Sequence, residues 1–209
     1  LHSGGRANSR HGDGSLTTIA PRSDEARDVF IYDPEVPVLA PGGAASLSGS
    51  ANQAALELGN NLLIYTSLPL TEPLHVFGTV TVTIYAATSA ATADFTAKLV
   101  RVSSQGRADF VCIGIARSSF LFPSAAYKAD KAQRWYFELE PTSCVFAPGE
   151  SIRLEIASSA FPLYDRNPST PIKACNADSW NWARSTQFVF HDREHPSALH
   201  LPVVAGSSR

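Results

Sequence analysis

Hydrophobic and polar residues alternate with a period of two along much of the chain, most clearly in the segment Ser151–Ser158. Its apolar side chains point to one face and its charged side chains to the other: Ile152, Leu154 and Ile156 against Arg153 and Glu155. This alternation predicts a β-strand with one buried face and one solvent-exposed face. Phe161-Pro162 ends the pattern, because proline has no N–H to donate to a sheet. Asp165 and Asn167 then form a polar corner of the kind that turns favour.

The same signal predicts further strands, separated by turns that contain Gly, Pro, Ser or Asn. They are Leu62–Thr66, His75–Ala86, Asp94–Val102, Asp109–Ala116, Gln133–Glu140, Thr186–Phe190 and Leu199–Val204. Only Ile172–Arg184 has room for a short helix. Many short strands with almost no helix predict an all-β fold, a β-sandwich or jelly roll.

The strand predicted at Phe110–Ala116 departs from clean alternation. Val111, Ile113 and Ile115 are apolar, but so are the residues between them. The outer face of an antiparallel sandwich is normally polar. We therefore expect either that something packs on this outer face, such as a partner domain, or that the strand lies deep in its sheet.

Residues 1–28 are polar and rich in Gly and Arg, which predicts an irregular arm or linker, and residues 29–209 are assigned to the sandwich.

The chain contains no Met, not even at position 1, so we expect a piece of a longer product. Three cysteines are too few for a disulfide framework or a zinc site, and their odd number favours a reducing compartment. No signal segment is visible, and the expected location is cytoplasmic.

The charge balance bears on partners. With 17 basic and 19 acidic residues, the chain has no excess of positive charge that would favour nucleic acid or an anionic membrane. No apolar run is long enough to span a membrane. We expect neither as a partner.

Three kinds of catalytic site can be looked for in the sequence, and each lacks either its motif or the structural context that the motif requires. His191-Asp192-Arg193-Glu194-His195 matches the zinc signature H-x-x-E-H, but that motif requires a helix, and here a β-type run precedes it and Pro196 follows. No G-x-S-x-G nucleophile elbow is present. Glu155 and Asp165 could form a glycosidase pair only if the fold brings them together. We therefore predict no catalytic residue, no metal and no cofactor.

Several motifs, in a consistent order along the chain, resemble a known family. They are LHSGGRAN and GDGSL near the start, YDPEVPV followed by PGG, VFGTVTVTIYAATSA, DFTAKLVRV, SSAFPLYDRNPST, and EHPSALHLPVV near the end. Together they resemble the C-terminal non-catalytic domain of X-Pro dipeptidyl-peptidases and cocaine-esterase-type serine hydrolases. The chain departs from the family pattern at three places: Thr92-Ala93 precede Asp94 where a further Asp is usual, ALELGNN replaces a charged run, and Pro148-Gly149-Glu150-Ser151 replaces a PGHR corner.

The resemblance implies a jelly-roll, galactose-binding-like β-sandwich that braces the α/β-hydrolase catalytic domain of the same polypeptide. The serine nucleophile, its histidine base and the oxyanion hole would lie upstream, so this chain alone should be inactive. The loop after Gly42-Gly43 corresponds to a wall of the substrate pocket. This makes Ala44, Ala45, Ser46 and Leu47 the candidate pocket residues. A homo-oligomer is left open.

Two alternatives from other classes stay open at this point. Trp180 and Trp182 could form a sugar-stacking surface, which would make the chain a free-standing carbohydrate-binding module. A zinc enzyme could use His191 and His195 as ligands.

Overall fold

The computed structural model describes residues 1–21, 24–43, 49–122 and 127–204, and within them β-strands dominate. The strands are β1 (Ser15–Leu16), β2 (Asp28–Tyr32), β3 (Leu63–Ser67), β4 (Leu74–Gly78), β5 (Thr81–Thr88), β6 (Asp94–Val102), β7 (Ala108–Arg117), β8 (Gln133–Glu138), β9 (Thr142–Phe146), β10 (Ser151–Ala157), β11 (Ser185–Phe190) and β12 (Ala198–His200). One helical turn, α1 (Ser118–Leu121), follows β7. Short 3-10 helices lie at Leu56–Leu58, Ala174–Asn176 and Ser179–Asn181. The prediction of an all-β chain is confirmed.

Among the described residues the strands form two five-stranded sheets and a small third one. Sheet A has the order β1-β3-β10-β6-β7, and its pairs are antiparallel except for β1 with β3. Sheet B has the order β12-β5-β11-β2, with β8 also paired to β5. Strands β4 and β9 form the third sheet. The central strand β10 is the one that shows the clearest alternation in the sequence.

The main core lies between the two large sheets. Phe95 from sheet A and Trp135 from sheet B meet there, with ring centroids 4.8 Å apart in an edge-to-face arrangement. The inward residues of β10 and β5 are buried as their alternation predicts, namely Ile152, Leu154, Ile156, Val82, Ile84 and Ala86. Alternation therefore identifies the core side of these strands correctly.

The predicted strand His75–Ala86 is two strands in the structure, and they belong to different sheets. Gly78 ends β4 with a φ of +123°, a conformation that L side chains rarely adopt. The chain then leaves β9 and enters sheet B as β5. The alternating pattern continues across this break, which is why the sequence alone does not show it.

A β-bulge explains the irregular pattern of β7. Leu99 pairs with Cys112, but the next residue, Val100, pairs with Phe110, so Val111 is the extra residue. The bulge shifts the alternation by one residue and places Phe110 and Ile113 on the same face. Both pack in one cluster with Ala160.

The outer face of sheet A is covered by the chain itself. Ala40, Leu163 and Tyr164 pack against the cluster of Phe110 and Ile113. No separate partner domain is needed to explain the apolar outer face of β7. The prediction of a solvent-exposed face on β10 is wrong, because Arg153 and Glu155 are only 7% and 2% exposed.

The first residues of the chain pack against both sheets. Leu1 and Ala7 belong to the main core, and β1 extends sheet A. At the other end, the region Ile172–Arg184 contains two short 3-10 turns rather than one helix. None of the described helices is long and apolar enough to cross a membrane.

Candidate functional site

The predicted pocket residues Ala44, Ala45, Ser46 and Leu47 lie outside the described residues. The segments on both sides of them are described, and we refer to residues 41–43 and 49–53 as the two stems of the 41–53 loop. Gly43 N donates to Gly49 O at 2.8 Å, which joins the stems at their outer ends. Gly42 and Gly43 have φ values of +96° and +80°, so this bend favours glycine.

The second stem is hydrogen-bonded along the free edge of β7. Phe110 N donates to Ala51 O at 3.0 Å, and Gln53 N donates to Ala108 O at 2.7 Å. Ser50 Oγ donates to Phe110 O at 2.8 Å. The loop therefore begins and ends at a defined place on the edge of sheet A.

Gln53, the last residue of the second stem, has a fully buried side chain that uses both ends of its amide. Its Nε2 donates to Pro41 O at 3.0 Å and to Ala51 O at 2.8 Å, one carbonyl in each stem. Its Oε1 accepts a hydrogen bond of 2.8 Å from Lys98 Nζ. A single side chain thus links both stems to the sheet below.

Lys98 and Glu155 face each other across β6 and β10 and form a buried ion pair of 2.9 Å. Burial raises the pKa of Glu155, and the Lys98 ammonium opposes that rise. The cavity beside the pair has a volume of about 10 Å³ and is lined also by Thr96 and Ser159. It is about the size of one water molecule, so it is too small for a substrate.

A second buried ion group continues the charged layer. Arg153 Nη1 lies 2.6 Å from Glu57 Oε1, and Arg10 Nε lies 3.5 Å from Glu57 Oε2. These are ion contacts rather than aligned hydrogen bonds, whereas Arg153 Nε does donate to Thr66 Oγ1 at 2.9 Å. We call Gln53, Glu57, Lys98, Arg153 and Glu155 the buried charge layer.

The polar corner after β10 is structural. Asn167 Nδ2 donates to Asp94 Oδ1 at 2.8 Å, and Asn167 Oδ1 accepts from Ser169 N at 2.8 Å. Asp165 pairs with Arg117. Burial raises the pKa of Asp94 to about 6, although Arg117 opposes the rise. A substrate cannot reach Glu155, which is 2% exposed and paired with Lys98, so Glu155 and Asp165 do not form a catalytic pair.

His191 and His195 do not form a zinc site. They follow β11 in a non-helical segment, and His191 is fully buried with Nε2 2.8 Å from Asp28 Oδ2. His195 Nδ1 instead faces Asp192 Oδ1 at 3.1 Å. Across the described ranges no group of three or more His, Cys, Asp or Glu side chains is arranged to hold a metal ion.

A serine lies near His191 and Asp28 but does not form a catalytic triad with them. Ser3 Oγ donates to Asp28 at 2.7–2.8 Å and lies 3.4 Å from His191 Nε2. Because its proton is directed at the carboxylate, the imidazole is not placed as its base. Burial acts to raise the pKa of Asp28, but hydrogen bonds from His191, Ala7 N–H, Ser3 and Tyr65 outweigh it and leave the pKa below its usual value. The group fixes the first residues to sheet B.

The two tryptophans do not present a shared stacking surface. Trp180 is 92% exposed, whereas the Trp182 ring is covered by the Arg166 guanidinium at 4.1 Å from its centroid. A recess of about 230 Å³ lies beside Trp182, and the two charges that face each other in it, Asp33 and Arg184, are paired at 2.5 Å. These contacts do not favour the carbohydrate-binding module.

Comparison with known families shows to which family the chain belongs. Residues 1–200 match the X-Pro dipeptidyl-peptidase C-terminal non-catalytic domain. The chain belongs to this family. Cocaine esterase of Rhodococcus sp. (strain MB1 Bresler) is 33% identical over 211 residues, which cover 98% of this chain and 37% of the esterase. The resemblance predicted from the sequence is confirmed.

Two solved structures are similar to this chain in fold. An aminopeptidase from the marine sediment archaeon Thaumarchaeota archaeon superposes with a TM-score of 0.83 at 26% identity, over 96% of this chain and 36% of that chain. An α-amino acid ester hydrolase gives a TM-score of 0.82 at 26% identity, over 91% of this chain and 35% of that chain. The chain thus spans little more than a third of the length of these relatives.

Sequence reasoning missed the buried charge layer. Gln53 and Glu57 lie in a stretch without periodicity, and Arg153 and Glu155 have the alternation of a solvent-exposed face. The available signal was Lys98, the single charged residue in the stretch Phe95–Val100. A charged residue in such a strand needs a buried partner.

Proposed function

We propose that this chain is the C-terminal accessory domain of a serine hydrolase of the acyl esterase or X-Pro dipeptidyl-peptidase type. It braces the α/β-hydrolase catalytic domain of the same polypeptide and has a jelly-roll, galactose-binding-like sandwich fold. The observation that carries the proposal is the family match over residues 1–200 in a chain that covers 37% of a related esterase. The hydrolytic chemistry then belongs to the upstream domain.

We further propose that Ala44, Ala45, Ser46 and Leu47 form part of the substrate-pocket wall. Support comes from the stems of the 41–53 loop, which hydrogen bonds fix to β7 and to Gln53. A loop that is anchored at both stems can hold a wall in place, which keeps the cost of ordering low when substrate binds.

The test of the accessory role compares this chain alone with a protein that also carries the upstream domain. Both are assayed with an activated ester before and after treatment with a serine-reactive phosphonate. We expect phosphonate-sensitive turnover only when the upstream domain is present. Turnover by this chain alone that disappears with the phosphonate would contradict the proposal.

The pocket wall is tested in the longer protein with Leu47→Ala, using Leu58→Ala as the matched control because Leu58 is 75% exposed. Loss of an apolar substrate contact should raise KM by roughly tenfold, equivalent to about 1.4 kcal/mol, with little change in kcat. Equal kinetic constants for the two variants would exclude Leu47 from the wall.

A further inference from the structure

His191 is buried between two carboxylates, one at each ring nitrogen. Its Nε2 lies 2.8 Å from Asp28 Oδ2, and its Nδ1 lies 3.2 Å from Glu25 Oε2. The residue is fully buried, so bulk solvent does not reach either nitrogen. An ionised carboxylate can only accept a hydrogen bond, and a neutral imidazole has only one N–H to donate. Both contacts are satisfied at once only when His191 carries a proton on each ring nitrogen.

His2 is bound in the same way on the other side of Glu25. Its Nδ1 lies 2.7 Å from Glu25 Oε1, and its Nε2 lies 2.7 Å from the carbonyl oxygen of Ile19. Carboxylate and carbonyl oxygens both accept hydrogen bonds, so this ring also needs two N–H groups. Glu25 therefore lies between two imidazolium rings and contacts one of them through each carboxylate oxygen.

The charges of these four side chains cancel, because two carboxylates face two imidazolium rings. Burial acts to raise the pKa of Glu25, but hydrogen bonds from His2 and Ser3 N–H, together with the charges of the two rings, outweigh it and leave the pKa below its usual value. The pKa of Asp28 is also below its usual value. Both carboxylates are therefore ionised, and each ring needs its second proton to keep the group neutral.

The other charged groups near this cluster have partners of their own. They are Leu1 N, which acts on Glu25 and donates to Ser197 O; Arg27, over the Phe188 ring; Asp192, paired with His195 Nδ1; and Asp13, which accepts from Gly4 N and Arg6 N. The Tyr65 hydroxyl donates to Asp28 Oδ2 and stays neutral, because burial raises its pKa well above the usual value. The charge balance of the cluster thus depends on the two carboxylates and the two rings.

The cluster fastens residues 1–7 to both large sheets. Ala7 N donates to Asp28 Oδ1 at 2.8 Å, in β2 of sheet B, and Ile64 N of β3 in sheet A donates to Ala7 O at 2.8 Å. Ser3 N donates to Glu25 Oε2 at 3.3 Å. Loss of one proton from each ring would leave a bare ring nitrogen against an oxygen and two carboxylates without compensating charge. Residues 1–7 would then lose part of their attachment.

We propose that His2, Glu25, Asp28 and His191 form a pH-sensitive latch for residues 1–7, which is closed while each ring carries two protons and opens as the rings become neutral. The closed latch binds more protons than the open one, so its stability relative to the open state falls as the pH rises. Histidine is the side chain whose charge ordinarily changes between about pH 5 and 8. The opening is expected in that range.

NMR of the ring nitrogens tests the protonation state of the closed latch. With isotope-labelled histidine at about pH 6, both nitrogens of His2 and of His191 should carry a proton. Variants that lack one histidine each assign the signals. A bare nitrogen in either ring, under conditions in which the Ala7 amide is protected from exchange, would overturn the proposal.

Amide hydrogen exchange of Ala7 tests the opening itself. Protection factors already divide out the intrinsic pH dependence of exchange. Between about pH 6 and about pH 8 the protection factor of Ala7 should fall by roughly tenfold per pH unit, whereas those of β5 and β8 should stay constant. An Ala7 protection factor that follows β5 and β8 at every pH would refute the latch.

Two variants at partly exposed side chains avoid a substitution in the buried core. His2→Gln replaces a charged ring with a neutral amide, and Glu25→Gln removes the charge that both rings share. Each should lower the protection of Ala7 at about pH 6 by roughly tenfold and make its pH dependence shallower. His200→Gln and Glu72→Gln make the same changes at exposed positions and should alter neither. Variants that behave like their controls, or that lower protection equally in all strands, would contradict the proposal.

Discussion

Strands β8 and β10 have the same alternating pattern, but their outward-facing side chains differ in exposure. In β8 the inward Trp135 and Phe137 are buried and the outward Arg134 and Glu138 are exposed. In β10 the outward Arg153 and Glu155 are buried as well. The difference arises because both charges of β10 have buried partners: Glu57, which packs over sheet A, pairs with Arg153, and Lys98 of β6 pairs with Glu155. Alternation shows which side chains face the core, but it does not show whether the other face meets water.

The strongest test of this comparison removes an outward arginine from each strand and compares the two losses of stability. Arg153→Met leaves the buried Glu57 carboxylate without its nearest cation and should lower the free energy of unfolding by about 3–5 kcal/mol. Arg134→Met on β8 should change it by less than about 0.5 kcal/mol. Denaturant unfolding of both variants measures the difference, and equal effects would show that the charge layer has no special role.

The pH dependence of unfolding tests the burial of a further charged side chain, Asp94 at the start of β6. The pKa of Asp94 rises from 3.8 to about 6 on folding, so the folded state binds this proton more tightly. Its stabilising contribution is present below about pH 3.8 and is lost as the pH rises through 6, a loss of about 3 kcal/mol. Asp94→Asn should remove that part of the slope between pH 4 and 7.

The control for this measurement is Glu138→Gln on β8, which removes an exposed carboxylate. It should keep the wild-type slope. If Asp94→Asn and Glu138→Gln both keep that slope, Asp94 does not ionise across this range in the way that its burial implies.

The bulge in β7 gives a third comparison, between Val111 and Ile113. Regular alternation would place both on one face, but the bulge buries Ile113 at 1% exposure and leaves Val111 only partly buried. Ile113→Thr should cost about 2 kcal/mol, because it loses packing and buries a hydroxyl, and Val111→Thr should cost less than about 1 kcal/mol. Denaturant unfolding measures both losses. Equal losses of stability for Ile113→Thr and Val111→Thr would reject the bulge.

The smallest expected effect concerns Gly43 at the bend of the 41–53 loop. Gly43 and Gly149 have similar φ values of +80° and +86°, but a Cβ at Gly43 would lie 3.1 Å from Phe110 Cζ, while nothing lies within 4 Å at Gly149. Both alanine variants should lose about 1 kcal/mol from backbone strain. Gly43→Ala should lose roughly a few tenths of a kcal/mol more than Gly149→Ala, because of the contact with Phe110. An identical loss for both variants in denaturant unfolding would mean that the Phe110 ring moves aside freely.

The sequence was sufficient for most of the longer strands and for their core-facing residues, because period-two alternation depends only on local chain geometry. It did not predict the short strands β1, β2 and β9. It was not sufficient for the cover of sheet A, since Gln53 and Glu57 reach Lys98 and Arg153 across more than 40 residues without any periodic signal. The bulge at Val111 and the break at Gly78 were missed for a related reason. Each changes the direction of side chains or strands without changing the composition of the segment.

The burial of Lys98 beneath the 41–53 loop is the central structural claim, and native lysine acylation followed by mass spectrometry tests it directly. Lys128, Lys131 and Lys173 are exposed and should react within the folded protein. Lys98 is 4% exposed and bonded to Gln53 and Glu155, so it should remain unmodified until the protein is unfolded. Reaction of Lys98 in the native state at the rate of the other three lysines would contradict the account.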